Sequence, residues 1–253
     1  MSQVIAVPSY NRPGLFMNRT YKILVASDLL GKTTIFCVPE QETLYRNLPP
    51  IRDGRLALVV GVRGLIQQKQ YIYDYYTEGT EVVMMDDDIE HFITWDKKVL
   101  RDIRPIIHKG FRHCKERGAR LWGIYPVANP FFFSRDVSYG LKFIIGNLYG
   151  FIKHGLSEIP ADVISHKEDI YRSCAYFKRD GVIVRINDVA PVTKFLAGDS
   201  LEASKEWHDE GADRIVQDFP DYAKKYYRRR TGFAEIRLRH IPPLTATESH
   251  HAV

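Results

Sequence analysis

Apolar residues in the first third of the chain come in short dense runs separated by stretches of helical spacing. Residues 4–8 form one such run, closed by the turn Pro8-Ser9-Tyr10-Asn11-Arg12-Pro13. From Gly14 to about Leu30 the positions Leu15, Phe16, Ile23, Leu24 and Leu30 follow helical rather than strand spacing. Residues 33–38 and 56–60 predict strands, and 64–76 a helix. Residues 81–85 predict a strand running straight into Asp86, Asp87 and Asp88. Strands alternating with helices need crossover connections, so the pattern predicts an α/β fold with a mostly parallel central sheet. Ligands of such sheets sit at the carboxyl ends of the strands. Both the Ser9–Pro13 turn and the Asp triplet fall at such ends.

The middle of the chain reads differently. Residues 105–117 predict a helix opened by Pro105 and ended by Gly118. From 120 to 152 the pattern turns strand-like and aromatic, with a hairpin expected around Gly146-Asn147. A helix is expected from about residue 168 and a strand at 182–186. A polar helical stretch, a basic aromatic run at 222–230 and a last strand at 235–239 follow. The expectation is one domain over 1–241, with a first half (1–100), a second half (101–241) and a loose tail over 242–253.

Composition narrows this little. The 253 residues are 45% hydrophobic and 26% charged, ordinary for a globular protein able to bury a sizeable core. No apolar run reaches the roughly 18 residues of a membrane-spanning helix, and residues 1–13 lack a signal-peptide pattern. The simplest expectation is a cytoplasmic protein without a membrane partner. Cys37, Cys114 and Cys174 are odd in number and widely spaced, which suits small buried hydrophobes rather than a zinc site. The formal net charge of +5 suits a polyanionic or phosphorylated partner.

The Asp triplet is the strongest chemical signal. Three adjacent carboxylates repel one another, and here they follow an apolar strand. In extended backbone Asp86 and Asp88 point one way and Asp87 the other. Two same-facing carboxylates make a hard-oxygen site for Mg²⁺ or Mn²⁺, which in turn can hold a diphosphate; a solvated acidic turn is the plainer alternative. The turn after the first strand is fixed by Pro8 and Pro13, and Tyr10 and Arg12 offer a stacking face and a permanent cation. Such a turn can seat a nucleotide base, or serve only as a strand-to-helix connection.

These residues resemble a known family. A first strand ending in V-P-S-Y-N-R-P and a later one ending in D-D-D is similar to the GT-A glycosyltransferases. The resemblance implies a Rossmann-like nucleotide-sugar-binding half (1–100) and an acceptor-binding half with a smaller mixed sheet (101–241). It implies Asp86 near the ribose or metal, Asp88 as direct metal ligand, and Asp87 with the turn residues Pro8, Tyr10, Asn11 and Arg12 about the nucleotide. Arg63, Gln67, Gln68 and Lys69 occupy a stretch where such enzymes often carry nucleotide contacts. The run His166-Lys167-Glu168-Asp169 resembles the Glu-Asp pair of inverting members, which makes Asp169 the expected base and Glu168 its substitute. As plain chemistry, two acids at a helix start are also favoured by the helix dipole.

The aromatic middle segment lies where the family builds its acceptor site. Trp122 and Gly123 are the candidates there, with Phe131, Phe132 and Phe133 assigned to the core. Arg228, Arg229 and Arg230, interleaved upstream with aromatics, suit a phosphate backbone, although such runs are often only solvated helix faces. His208 and His240 are late histidines of the kind that complete some metal sites, by position only. The layout further resembles the GT-A enzymes found beside DNA base-hydroxylating dioxygenases and in phage genomes, including the proposed base J glucosyltransferases. That resemblance implies a UDP-sugar donor and a hydroxymethylated pyrimidine in DNA as acceptor. The rivals are a glycosyltransferase acting on a glycan or protein, a nucleotidyltransferase and a non-enzymatic DNA-binding protein. The V-P-S-Y-N-R-P turn lacks the glycine-rich basic loop of nucleotidyltransferases, and a DNA-binding role leaves the Asp triplet without a use.

Overall fold

A computed structural model describes residues 3–155, 159–160, 167–193 and 205–244. The first third follows the predicted alternation. Strand β1 (Gln3–Pro8) leads into α1 (Pro13–Asn18) and α2 (Thr20–Ala26), then β2 (Thr33–Cys37). Short helices α3 (Glu42–Arg46) and α4 (Pro49–Arg52) precede β3 (Ala57–Val60), α5 (Leu65–Tyr75) and β4 (Glu81–Met85). Next come β5 (Ile89–Thr94), β6 (Val99–Leu100), α6 (Arg104–Arg117) and β7 (Leu121–Ile124). The chain continues through β8 (Val137–Ser138), β9 (Leu148–Ile152), α7 (Glu168–Asp180), β10 (Val184–Ile186) and β11 (Val189–Thr193). Helix α8 (Lys205–Asp218) and the hairpin β12 (Ala223–Tyr227) and β13 (Ala234–Leu238) follow.

Eight strands form the central sheet in the order β3-β2-β1-β4-β9-β7-β10-β8. The block β3-β2-β1-β4 is parallel throughout, and β7 and β10 are parallel to each other. Strand β9 lies between β4 and β7, antiparallel to both. Gly146-Asn147 is therefore no hairpin: it is the loop that delivers β9 into the middle of the sheet. Because β9 reverses direction twice over, β4, β7 and β10 all end at the same edge of the sheet as β1. Small antiparallel sheets β11-β5-β6 and β12-β13 complete the architecture.

Both faces of the sheet are covered, which is why the strands read as unbroken apolar runs. Ile5, Val7, Val83 and Met85 pack on the face of α1, α2 and α6, whereas Ala6, Val82 and Met84 pack on the face of α5 and α7. Trp122 lies wholly inside the first layer. Its indole fills the space beside Gly110 of α6 and Gly150 of β9: a Cβ on Gly150 would come within 2.2 Å of Nε1. Gly150→Ala is therefore expected to lower stability by about 1–3 kcal/mol through overpacking, read as an earlier urea midpoint with an unchanged slope.

The tail departs from expectation at its start. Leu141 N donates to Ile241 O and Leu244 N to Gly181 O, so the chain is tied to the body through 244. The rest of the tail, 245–253, lies outside the described residues.

Candidate active site

The triplet sits in a turn joining β4 to β5, not in extended backbone. The alternation expected of a strand is therefore lost, and Asp87 and Asp88 turn toward the same cation. Arg12 Nη1 lies 3.8 Å from Asp87 Oδ1 and 3.7 Å from Asp88 Oδ2. Asp86 is held by the loop before β9: Asn147 Nδ2 donates to its Oδ2 at 2.9 Å. Four hydrogen bonds to the backbone fix the turn. Asp86 N donates to Asn147 O, Thr20 Oγ1 donates to Asp86 O at 2.7 Å while accepting Ile89 N, and Arg19 Nη1 donates to Asp88 O at 3.2 Å. The break between α1 and α2 is what places Arg19 and Thr20 there.

The loop after β1 is braced just as firmly. Ser9 Oγ donates to Asp87 Oδ2 at 2.5 Å and shares a 2.6 Å bond with Tyr45 Oη. Asn11 adopts a left-handed φ of 54°, its N–H donating to Gln41 Oε1, and Arg12 N donates to Tyr45 Oη. Pro8 closes β1, and Tyr10 stands 59% exposed in the turn that follows.

Across the sheet edge, α7 starts with Glu168 and Asp169. Glu168 pairs with Lys69 of α5 and, at 2.7 Å, with Arg172 one turn along its own helix. All three side chains are almost fully buried, and the Arg172 guanidinium also lies 3.7 Å from the Tyr149 ring centroid. Burial alone would push the Glu168 carboxyl up, but Lys69 and Arg172 outweigh it and hold it below the usual range. Glu168 is thereby locked as an anion in a structural bridge. Asp169 is the opposite case: burial, with the Glu168 charge beside it, pushes its carboxyl up to about 6. The two acids of the pair are thus driven apart in acidity, with Asp169 nearer the range of a general base.

Lys69 also acts electrostatically on Asp86, so its ammonium couples the two acidic groups. Burial raises Asp86 to about 7 despite Lys69, with Asp88 and Asp87 adding to the rise. Burial likewise raises Asp87 to about 6 despite the Ser9 bond and Arg12. Asp86, Asp87, Asp88, Glu168 and Asp169 are met by Arg12, Lys69 and Arg172, which leaves a surplus of negative charge.

A divalent cation fits that surplus. Among the described residues no three His, Cys, Asp or Glu side chains are grouped to hold a metal alone. Mg²⁺ sites of nucleotide-using proteins commonly take one or two carboxylates and leave the other positions to phosphate oxygens and water. The triplet supplies that donor set, hard oxygens only, at the ligand-binding edge of the sheet. His208 is engaged elsewhere, stacked on Phe233 at 4.6 Å and 3.3 Å from Lys167 Nζ, and His166 lies outside the described residues.

Several predicted residues take other places. Arg63 is exposed and paired with Glu40. Gln68 is buried, its Oε1 accepting Val62 N at 2.7 Å, so it shapes the loop after β3 instead of facing a ligand. Gln67 folds back over Gly64. Trp122 is core, and Gly123 is a packing glycine whose Cβ would meet Ile144 Cγ2 at 2.3 Å. Neither presents an acceptor surface. The aromatics assigned to the core go the other way: Phe131 is 85% and Phe132 56% exposed, on a turn held off the sheet by Asn129, whose side chain accepts Phe131 N. Aromatic content alone could not separate these cases, because the glycines that accommodate Trp122 lie 12 and 28 positions from it. Arg228, Arg229 and Arg230 form the exposed turn of the β12–β13 hairpin, not a helix face, and Arg228 lies 3.5 Å from Glu235.

Ser9, Thr20, Tyr45, Asn147 and Arg172 were not singled out from sequence. Thr20, Tyr45 and Asn147 act by contact with residues distant along the chain, whereas Ser9 lies within the V-P-S-Y-N-R-P turn and Arg172 one helical turn after Glu168.

No protein-family model and no curated protein sequence matches this chain. Its structure is similar to S. aureus TarS 1-349 in complex with UDP-GlcNAc, with a TM-score of 0.58 and 11% identity over 87% of this chain and 67% of that one. A second structure of S. aureus TarS 1-349 gives a TM-score of 0.56 and 10% identity over 87% and 66%. The mannosyltransferase PcManGT from Pyrobaculum calidifontis, in complex with GDP-Man and Mn2+, gives 0.52 and 16% over 86% and 63%. The chain spans about two thirds of the length of these structures. At such identities the likeness is one of fold: an eight-stranded, mostly parallel sheet flanked by helices, with small antiparallel sheets beside it, in the manner of the GT-A-type glycosyltransferases.

Proposed function

We propose that this protein is a metal-dependent, inverting glycosyltransferase that moves a sugar from a UDP-sugar to the hydroxyl of a hydroxymethylated pyrimidine in DNA. The observation that carries the reading is the pairing of two acidic groups, Asp86–Asp88 and Glu168–Asp169, at one sheet edge, coupled through buried Lys69. The similar structures with UDP-GlcNAc and with GDP-Man and Mn2+ support a nucleotide-sugar donor.

The chain's own residues divide the work. Tyr10 offers its ring to the base, and Arg12 brings a cation to the phosphates. Asp86 and Asp88 would hold Mn²⁺ or Mg²⁺, with Asp87 held by Ser9 behind them. When bound, that cation stabilises the charge growing on the departing diphosphate. Asp169 takes the proton of the acceptor hydroxyl as its oxygen attacks the anomeric carbon; the bond from that carbon to the diphosphate breaks, UDP leaves, and the sugar is transferred with inversion. Glu168, clamped by Lys69 and Arg172, fixes the start of α7 and so the position of Asp169. A pyrimidine in duplex DNA would have to leave the stack to reach this carboxylate.

The test is direct. With Mn²⁺ and a panel of UDP-sugars, a 5-hydroxymethylpyrimidine oligonucleotide should gain one hexose or pentose by mass while UDP is released. The unmodified oligonucleotide should gain nothing. Sugar transfer to a glycan but never to the oligonucleotide would overturn the acceptor assignment, and pyrophosphate release instead of UDP would overturn the reaction class.

A further inference from the structure

Beside the start of α7 runs a groove of 520 Å³ between residues 141–143 and strand β13, with Ile170 on its floor. Ile170 follows Asp169, so the groove reaches the first turn of the helix that carries the candidate base. Its walls are cationic: Lys142 on one side, Arg237 and Arg239 on the other, with His240 just past the end of β13. The one acid in the lining, Glu235, is already met by Lys167 and Arg228, each at 3.5 Å. Arg239 donates to the Pro220 carbonyl and Arg237 lies over the Tyr226 ring, and neither has an acidic partner among the described residues.

Outside the lining, near Lys142, stands a fourth cation. Arg185 of β10 is half-buried, its Nε donating to Asn187 Oδ1 at 2.8 Å and its guanidinium lying 5.1 Å from the Tyr125 ring centroid. Lys142 and Arg185 repel one another, and partial burial with that repulsion holds the Lys142 ammonium below its usual range. Next to Arg185, Tyr125 packs on Phe133 at 5.4 Å, and the exposed Phe131–Phe132 pair follows. Phosphate-seeking cations beside open aromatic faces suit an unstacked nucleic-acid strand more than a neutral glycan.

We propose that this groove binds the phosphodiester backbone of the acceptor strand, with Lys142, Arg237 and Arg239 meeting its phosphates and β13 guiding the chain toward the start of α7. This rests on the DNA-acceptor reading and moves the principal phosphate contact from the Arg228–Arg230 turn, where sequence placed it, to the groove.

The experiment is fluorescence anisotropy with a labelled single-stranded 5-hydroxymethylcytosine oligonucleotide across a salt series. Lys142→Gln/Arg237→Gln should raise Kd about tenfold and flatten the logarithmic salt slope by about 1.4, or 0.7 per lost phosphate contact. Lys142→Arg should keep wild-type affinity, and Lys142→Gln alone, with an unaltered melting temperature, should show about half the slope change. Should the double variant bind like wild type while Arg228→Gln/Arg229→Gln/Arg230→Gln loses binding, the groove proposal is overturned and the DNA reading stands. A wild-type protein that binds UDP with Mn²⁺ but no oligonucleotide overturns both, leaving only the donor reading.

Discussion

Asp88→Ala is expected to lower sugar transfer by about 10³-fold and to abolish the manganese-dependent part of UDP binding. The effect is large because Asp88 faces the ligand edge beside Arg12, and no third metal-binding side chain among the described residues can replace it. Calorimetric titration of UDP with and without Mn²⁺ is the deciding measurement. An Asp88→Ala protein that still binds UDP more tightly with Mn²⁺ than without would remove the metal from its assigned place. The same site predicts a pH dependence whose sign is fixed. Asp86 and Asp87 are raised to about 7 and about 6 chiefly by burial, so protons compete with the cation below those values. Mn²⁺-assisted binding should therefore strengthen as pH rises from about 5 to about 8. Without metal, stability should run the other way. The folded state holds protons on these carboxyls that the unfolded chain gives up at lower pH, so that contribution is lost as pH rises through about 6 to 7. Melting temperatures with and without Mn²⁺ and UDP across this range should diverge.

How much of this was legible in the sequence depends on how far along the chain each cause acts. β4 followed by three aspartates is a local pattern, and the parallel block β1–β4 with its ligand edge follows from strand–helix alternation alone. The start of α7 at Glu168 is equally local. What the sequence concealed was set by distant partners. The Gly146-Asn147 dipeptide looks like a hairpin turn, yet β9 pairs with β4 and β7, so the loop instead carries Asn147 to Asp86. Trp122 looks like a ligand-stacking residue until Gly110 and Gly150 are seen to make room for it in the core. Lys69 was marked as a nucleotide contact, and its pairing with Glu168, 99 residues away, makes it instead the link between the two acidic groups. Side-chain alternation in the triplet failed because the strand ends at Met85, one residue before the chemistry begins.

Asp169→Asn should remove nearly all transfer, by about 10²–10⁴-fold, while leaving Mn²⁺–UDP binding in place, because the amide keeps the shape but cannot accept the proton. Wild-type kcat/KM for the acceptor, taken at saturating Mn²⁺ and UDP-sugar so that protons on Asp86 and Asp87 do not enter, should then carry an acid limb set by Asp169. Its carboxyl is raised to about 6 by burial and the neighbouring Glu168 anion, so the ionised base is lost as pH falls below that value and the rate drops about tenfold per unit. Glu168→Gln separates this role from a merely structural one. It removes the anion that pushes Asp169 up and leaves Lys69 and Arg172 without their carboxylate, and both changes favour the ionised form of Asp169. The acid limb should move to lower pH even as overall activity and stability fall. An acid limb that stays put in Glu168→Gln, or that survives in whatever activity Asp169→Asn retains, would assign the proton transfer to another group. Because the limb reports the base of the donor-loaded enzyme and not the amount of folded protein, the comparison holds even where the Glu168 variant is only partly stable.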